Sequence, residues 1–188
     1  MLARQIPTDR WDEPGLGEWT VRDLVGHTSR SLITVSTYLT TTASREDVRE
    51  PADYYVRINA YAAGVGAEAI VERGRQAGRD LGPDPVATID GLVERVLGEI
   101  DTAGDPLIEV IGGLGLRLST YLPTRTFEIA VHGLDIASAV GVTATPPVEV
   151  LAEAAALAGR IGAHLGHGPA VLLALTGRRT LAPGFSVV

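Results

Sequence analysis

Two side chains in the second half of the chain have the types and the spacing of a metal-binding pair. Glu128 and His132 are four residues apart in residues 123–140, where apolar residues recur every three or four positions. This periodicity predicts a helix, and residues four apart on a helix lie on the same face, about one turn apart. A carboxylate and an imidazole placed in this way can close on one divalent ion.

A third ligand has to come from another element, and His27 is the natural candidate. It is predicted to lie in the middle of a helix beside an apolar face, whereas His164 and His167 flank a glycine near a helix end. Histidines near a helix end are better explained as exposed residues or C-terminal caps. Because the chain has no cysteine, a metal here binds nitrogen and oxygen, and three such ligands leave positions open for water or substrate.

The same residues could instead serve only to stabilise the fold. Their spacing in the sequence, taken alone, favours this explanation over a metal site. A Glu and a His four apart often form only a surface contact worth roughly 0.2–0.5 kcal/mol, and Arg125 with Glu128 could equally form an ion pair. Arg125 and Asp135 lie one turn on either side of the proposed ligands. Asp135 either accepts an imidazole N–H from a ligand or caps a neighbouring helix. Arg125 either steers a carboxylate or Glu128, or pairs with Asp135.

Helices must position these residues. Thr20 followed by Asp23 is typical of a helix start, and the apolar positions after it predict that the His27 helix continues to about residue 41. A second long helix is predicted over residues 52–81, although four glycines weaken its signal. Its residues Tyr54, Tyr55 and Tyr61 are expected in the core or at the rim of a pocket.

The remaining breaks in the chain separate further helices. Asp84 and Pro85 are expected to start a third helix. Residues 107–122, around Gly112 and Gly113, fit a short β-hairpin or an ordered loop, and the hairpin is favoured. The helix of Glu128 and His132 is predicted to start at Pro123 and to stop at Gly141. Two more helices are predicted over residues 148–165 and 170–176. Helices separated by short breaks indicate an all-α bundle with at most a small β element.

The amino-acid composition restricts the kinds of molecule that the protein can bind and where it is expected to be located. The 188 residues, 45% of them hydrophobic and 21% charged, are expected to form one globular domain over residues 1–188. A net charge of −7 argues against a nucleic-acid partner. The longest apolar run near the C-terminus is too short to cross a bilayer, and residues 1–20 do not look like a signal peptide. The expected location is the cytoplasm.

Two motifs carry a resemblance to a known family. They are LGEWTVRDLVGHTSRSL at residues 16–32 and RTFEIAVHGLDIASAVG at residues 125–141. Together they resemble the mycothiol-dependent maleylpyruvate isomerase-like family, which belongs to the DinB/YfiT-like superfamily of metal-binding helix bundles. The resemblance implies a four-helix bundle, here with extra C-terminal helices and a small β-hairpin. It also implies a divalent metal, usually zinc, bound through His27, Glu128 and His132.

The resemblance also implies what such a metal is used for. The expected function is that of a thiol-dependent enzyme of the isomerase or transferase type, which uses mycothiol and acts on a small electrophile. The alternatives are a non-catalytic metal- or ligand-binding bundle and a structural domain with an internal salt-bridge network. In the family the first bundle helix begins before the position that matches Leu2. The first helix is therefore expected to be short in this chain, or the true start codon is expected to lie upstream of Met1. A short first helix leaves one end of the bundle open, and a second subunit could cover this end in a homodimer.

Overall fold

The computed structural model describes residues 2–62, 64 and 66–188, and the side chain of Tyr61 lies outside this description. The described part begins with two short 3-10 helices, Leu2–Gln5 and Thr8–Arg10, which are followed by α-helices and one β-hairpin. A third 3-10 turn, Ile111–Gly113, connects the two strands of the hairpin. The α-helices are α1 Val21–Tyr38, α2 Pro51–Ala62, α3 Ala67–Asp80, α4 Pro85–Ala103, α5 Leu118–Val140, α6 Val148–His164 and α7 Gly168–Leu175. The predicted all-α fold is confirmed.

The predicted starts of α1 and α4 are confirmed by their capping contacts. The Thr20 hydroxyl accepts a hydrogen bond from the Asp23 backbone N–H at 3.1 Å, and the Asp23 carboxylate accepts one from the Thr20 N–H at 3.1 Å. At α4 the Asp84 carboxylate accepts from the Ala87 N–H at 3.0 Å, with Pro85 as the first helical residue. These contacts satisfy N–H groups that have no partner inside the helix.

The single long helix predicted over residues 52–81 is wrong. The structure has two helices there, because α2 ends at Ala62 and α3 begins at Ala67 after Gly66 as its N-terminal cap residue. Glycine at positions 64 and 66 loses more backbone entropy in a helix than any other residue, so a break at this point costs little.

The predicted start of the helix that carries Glu128 and His132 is also wrong. Helix α5 begins at Leu118, and Pro123 lies inside it. The carboxylate of Asp105 accepts hydrogen bonds from the Ser119 N–H at 2.8 Å and from its hydroxyl at 3.0 Å, so a distant residue caps the first turn. The predicted end is correct: Gly141 adopts a left-handed φ of 73°.

The predicted hairpin is confirmed over residues 107–117. Strands β1 Leu107–Val110 and β2 Leu114–Arg117 pair antiparallel, with Ile108 opposite Leu116. The tight connection uses Gly112 and Gly113 at φ values of 78° and 69°, which residues with a side chain rarely adopt. Ile108 and Leu116 are fully buried, so the hairpin closes one side of the core.

Helices α1 and α5 run through the centre of the bundle and position the candidate site. One buried cluster, which includes Tyr121 and Val96, joins α1, α2, α4, α5, α6 and the hairpin. A second cluster, which includes Leu24 and Ile136, joins α1 and α5 to α4 and the N-terminal 3-10 helix. None of the described helices combines the length and the apolar character needed to cross a membrane.

Candidate metal centre

The three residues predicted as metal ligands are brought together by α1 and α5. The ring of His27 on α1 meets the ring of His132 on α5 edge to face, with centroids 5.0 Å apart. His132 Nε2 lies 3.5 Å from Glu128 Oε2. His132 and Glu128 are largely but not fully buried, with side-chain exposures of 16% and 24%. About one hundred residues of sequence separate His27 from Glu128 and His132, so only the packing of α1 on α5 creates this group.

Burial sets the protonation state of His27. Burial, reinforced by the neighbouring His132, lowers the pKa of His27 to about 4. Its Nδ1 atom is buried and has no hydrogen-bond partner in the described part of the chain. At neutral pH the ring is therefore neutral, which is the form of imidazole that binds metals.

The pKa values of the other two residues reflect their contact with each other. Burial disfavours a charged His132, but hydrogen bonds to Glu128 and Asp135 outweigh this effect and raise its pKa. Burial likewise disfavours a charged Glu128, yet the hydrogen bond with His132 and the charge of Arg125 lower its pKa. Both shifts favour the charged form of the pair, a carboxylate beside an imidazolium.

Two further side chains orient this pair. The Tyr55 hydroxyl on α2 donates to Glu128 Oε1 at 2.8 Å and also lies 3.1 Å from the Thr124 carbonyl oxygen. Asp135 Oδ2 lies 3.1 Å from His132 Nδ1, the contact expected of a residue that accepts an imidazole N–H. The sequence placed Tyr55 only in the core or at a pocket rim, and no local spacing signals its contact with Glu128.

Arg125 does not form either of the ion pairs considered from the sequence. Among the described residues it is paired with neither Glu128 nor Asp135. Instead, its guanidinium lies over the rings of Tyr54 and Tyr121, at 5.4 and 4.8 Å from their centroids. Its Nε donates to the Thr124 hydroxyl at 3.0 Å. Arg125 therefore contributes positive charge at the edge of the site while its own contacts are with aromatic faces.

The donor types suit a divalent metal, although the side chains are not arranged around one. Within the described residues, no group of three or more His, Asp or Glu side chains is placed so that it could hold one ion. His132 Nε2 faces Glu128 instead. A partly buried neutral imidazole whose Nδ1 has no partner among the described residues, a second imidazole and a carboxylate nevertheless form a two-nitrogen, one-oxygen set that zinc accepts. An ion would replace the contact between Glu128 and His132.

A large apolar cavity lies elsewhere, on other faces of the same two helices. Its volume is about 680 Å³, and none of the three candidate ligands lines it. It is bordered by α1, α4, α5 and the N-terminal 3-10 helix, and its apolar lining includes Val25, Leu32, Ile89, Val93, Ile129 and Ile136. The polar group of residues and this cavity are therefore separate features of the bundle.

Comparison with known proteins identifies a family that matches this chain. The family described as mycothiol maleylpyruvate isomerase N-terminal domain matches residues 1–137, which include His27, Glu128 and His132. No curated protein and no solved structure matched the chain. Because the matched region covers well over half of the chain, the family resemblance inferred from the two motifs is confirmed. The chain belongs to the mycothiol maleylpyruvate isomerase N-terminal domain family.

Proposed function

We propose that this protein is a divalent-metal-binding, thiol-dependent enzyme of the isomerase or transferase type that acts on a small electrophile. Its metal, proposed to be zinc, would be held by His27, Glu128 and His132, and its thiol would be mycothiol. The observation that carries the proposal is the meeting of these three side chains from α1 and α5, with the two imidazole rings 5.0 Å apart.

The chain itself supplies the binding and orienting groups. Tyr55 donates to one oxygen of Glu128 and so restrains the carboxylate. Asp135 contacts Nδ1 of His132, which leaves Nε2 directed toward the site. Burial keeps His27 neutral and ready to donate a lone pair. The positive charge of Arg125 is close enough to attract an anionic part of a substrate.

A bound divalent ion supplies Lewis acidity, which polarises a carbonyl group or lowers the pKa of a thiol. The chain has no cysteine, so the thiol has to be a separate small molecule. Such a thiol loses its proton and adds to a carbon–carbon double bond conjugated to a carbonyl group. The S–C bond forms as the π electrons move onto the carbonyl oxygen, and an adduct that is kept takes a proton back on carbon. If the adduct rotates about the former double bond and expels the thiol, the outcome is isomerisation. If the adduct is kept, the outcome is thiol transfer.

Metal analysis tests the first half of this proposal. Protein purified without a histidine tag, and the metal-free protein after supplementation with zinc, should hold about one ion per chain. His132→Ala should abolish this binding. His164→Ala is the matched control, because His164 pairs with Asp53 at 3.4 Å on other helices and its loss should leave the metal content unchanged. If neither wild-type sample holds an ion and His132→Ala changes nothing, the metal proposal fails.

A thiol-binding assay tests the second half. In cobalt-substituted protein, a thiol that contacts the metal should change the visible absorption spectrum. Mycothiol is the first thiol to add. If none of the thiols tried changes the spectrum, a metal-binding bundle without thiol chemistry is the better explanation.

One observation favours the structural alternative, in which the residues form an internal ionic network. His132 contacts Glu128 at 3.5 Å and Asp135 at 3.1 Å, and Tyr55 completes the chain of contacts. In that case His132→Ala lowers the free energy of unfolding of metal-free protein, and metal has no effect on the stability of the wild type.

A further inference from the structure

Helices α1 and α3 approach so closely that their contact requires glycine on both. A Cβ atom at Gly26 would lie 2.3 Å from the Gly78 backbone nitrogen, and one at Gly78 would lie 2.6 Å from Asp23 Oδ1. Contacts this short do not occur between real side chains and backbone, so these positions exclude any larger residue. This contact fixes the distance between α1, which carries His27, and α3.

One turn earlier on α3, the lack of a side chain at Gly74 leaves space for the indole of Trp19. A Cβ atom at Gly74 would lie 2.5 Å from Cε2 and Nε1 of the Trp19 indole. The indole N–H donates to the Val71 carbonyl oxygen at 2.9 Å. This space and this hydrogen bond together determine both the position and the orientation of the indole.

The indole in turn contacts His27. The two ring centroids are 4.4 Å apart and the ring planes are tilted by 31°. Metal-binding histidines are usually oriented by an N–H donated to a carboxylate or a carbonyl. His27 Nδ1 has no such partner in the described part of the chain, so aromatic contact takes the place of a polar one.

We propose that Trp19 is the positioning residue of His27, and that Gly74 of α3 holds Trp19 in place. The stacked indole restricts rotation of the imidazole and keeps it edge to face with His132, where both rings can serve one ion. The inference rests on the proposed metal-binding function for its purpose, but the ring geometry exists without metal.

Four variants test this proposal. Trp19→Leu removes the aromatic contact, and Gly74→Ala displaces the indole while keeping it in the chain. Trp19→Phe keeps an aromatic ring but loses the hydrogen bond to Val71. Gly91→Ala is the matched control, because it makes the same helix-interior substitution in α4 where a Cβ would meet no atom within 4 Å.

The first readout is the dissociation constant for Co²⁺. We expect it to rise roughly 10- to 100-fold in Trp19→Leu and Gly74→Ala, as for loss of other groups that orient a ligand. Trp19→Phe should lie between these variants and the wild type, and Gly91→Ala should bind as the wild type does.

The second readout uses metal-free protein. A nuclear Overhauser effect between the ring protons of His27 and His132 should be present in wild type and Gly91→Ala, and lost in Trp19→Leu and Gly74→Ala while helical circular dichroism is retained. If Trp19→Leu does not fold, Gly74→Ala and Trp19→Phe carry the same comparison.

The two readouts separate failure of this proposal from failure of the proposed function. If the folded variants keep the His27–His132 effect, the positioning role of Trp19 is overturned whatever the metal affinity. If the effect depends on Trp19 but wild-type protein binds no Co²⁺, the positioning role stands and the metal-binding function falls.

Discussion

Glu128 makes polar contacts with two other residues of the site through its carboxylate. It accepts from Tyr55 on α2 and contacts His132 one turn away on α5. Burial and the negative charge of Glu128 both raise the pKa of the Tyr55 hydroxyl, so it is a protonated donor at neutral pH. The orientation of the carboxylate therefore depends on one neutral hydrogen bond from a different helix.

Removal of this donor should weaken both metal binding and the fold. In Tyr55→Phe, we expect the dissociation constant for Co²⁺ to rise about 10-fold. The free energy of unfolding of metal-free protein should fall by about 1 kcal/mol, because a buried carboxylate loses a hydrogen bond. Cobalt titration and urea denaturation measure the two effects.

Tyr38→Phe is the matched control for that prediction. Tyr38 packs edge to face against Tyr121 with centroids 5.6 Å apart, away from the candidate ligands. Its variant should bind Co²⁺ as the wild type does. Equal affinities for wild type and Tyr55→Phe would contradict a role for Tyr55 in orienting Glu128.

The residues of the site differ in how far the sequence predicts them. Glu128 and His132 share a helix, so their spacing alone places them together. His27 lies about one hundred residues away and was chosen by its helix position and by the family motifs. Tyr55 and Trp19 were not assigned a role at the site, because their contacts depend on how α2 and α3 pack, which no local pattern records.

At the scale of elements, a loop residue fastens the hairpin to the segment before α2. The carboxylate of Asp47 accepts a hydrogen bond from the Gly115 N–H at 3.0 Å, and the N–H groups of Asp47 and Val48 donate to the Gly115 carbonyl oxygen. The bond from Gly115, with a smaller effect of the adjacent Arg45, lowers the pKa of Asp47. The ionised carboxylate is therefore favoured by folding.

This shift predicts a pH-dependent contribution to stability. Because the pKa of Asp47 is lower in the folded state than in the unfolded state, its contribution is fully present above the ordinary Asp pKa and is lost as the pH falls through the lowered value. The difference in melting temperature between wild type and Asp47→Ala should thus be large at pH 7 and shrink in acid.

Glu94→Ala serves as the control for this pH profile. Glu94 is an exposed carboxylate on α4. The difference in melting temperature between wild type and Glu94→Ala should therefore not show the pH dependence expected for Asp47→Ala. If the difference in melting temperature between wild type and Asp47→Ala stays constant from pH 7 into strong acid, the charged carboxylate is not what stabilises the hairpin.

Element boundaries were predictable where the signal is local and failed where it is not. The capping residues Thr20 and Asp84 identify two helix starts because each bonds N–H groups three residues away. The start of α5 was misplaced at Pro123, since its first turn is capped by Asp105, fourteen residues before Ser119. The glycines of α3 looked like weaknesses of a helix, yet Gly74 and Gly78 are the positions where Trp19 and α1 make contact.

At the scale of the whole molecule, the apolar cavity beside α1 and α5 predicts self-association. Ile129, which lines it, is 39% exposed, and the surrounding lining is mostly apolar. The cavity also lies beside the short N-terminal 3-10 helix, where a second subunit could cover the end of the bundle. We expect the protein to form a homodimer in solution through this face, as measured by light scattering.

Substitution within the cavity should then abolish the dimer. Ile129→Glu places a charge in the proposed interface and should give the mass of a single chain. Leu97→Glu is the control, because Leu97 is 58% exposed but does not line the cavity. A wild-type protein that is monomeric at all concentrations tested would contradict the prediction.

The distribution of the candidate ligands over α1 and α5 has a consequence for how the protein assembles. A chain segment that ends before the hairpin contains only His27, and one that begins after it contains only Glu128 and His132. Neither segment alone can therefore form the proposed metal site. Metal uptake would therefore come late in folding, and the fraction of loaded chains would report the fraction in which both central helices have docked.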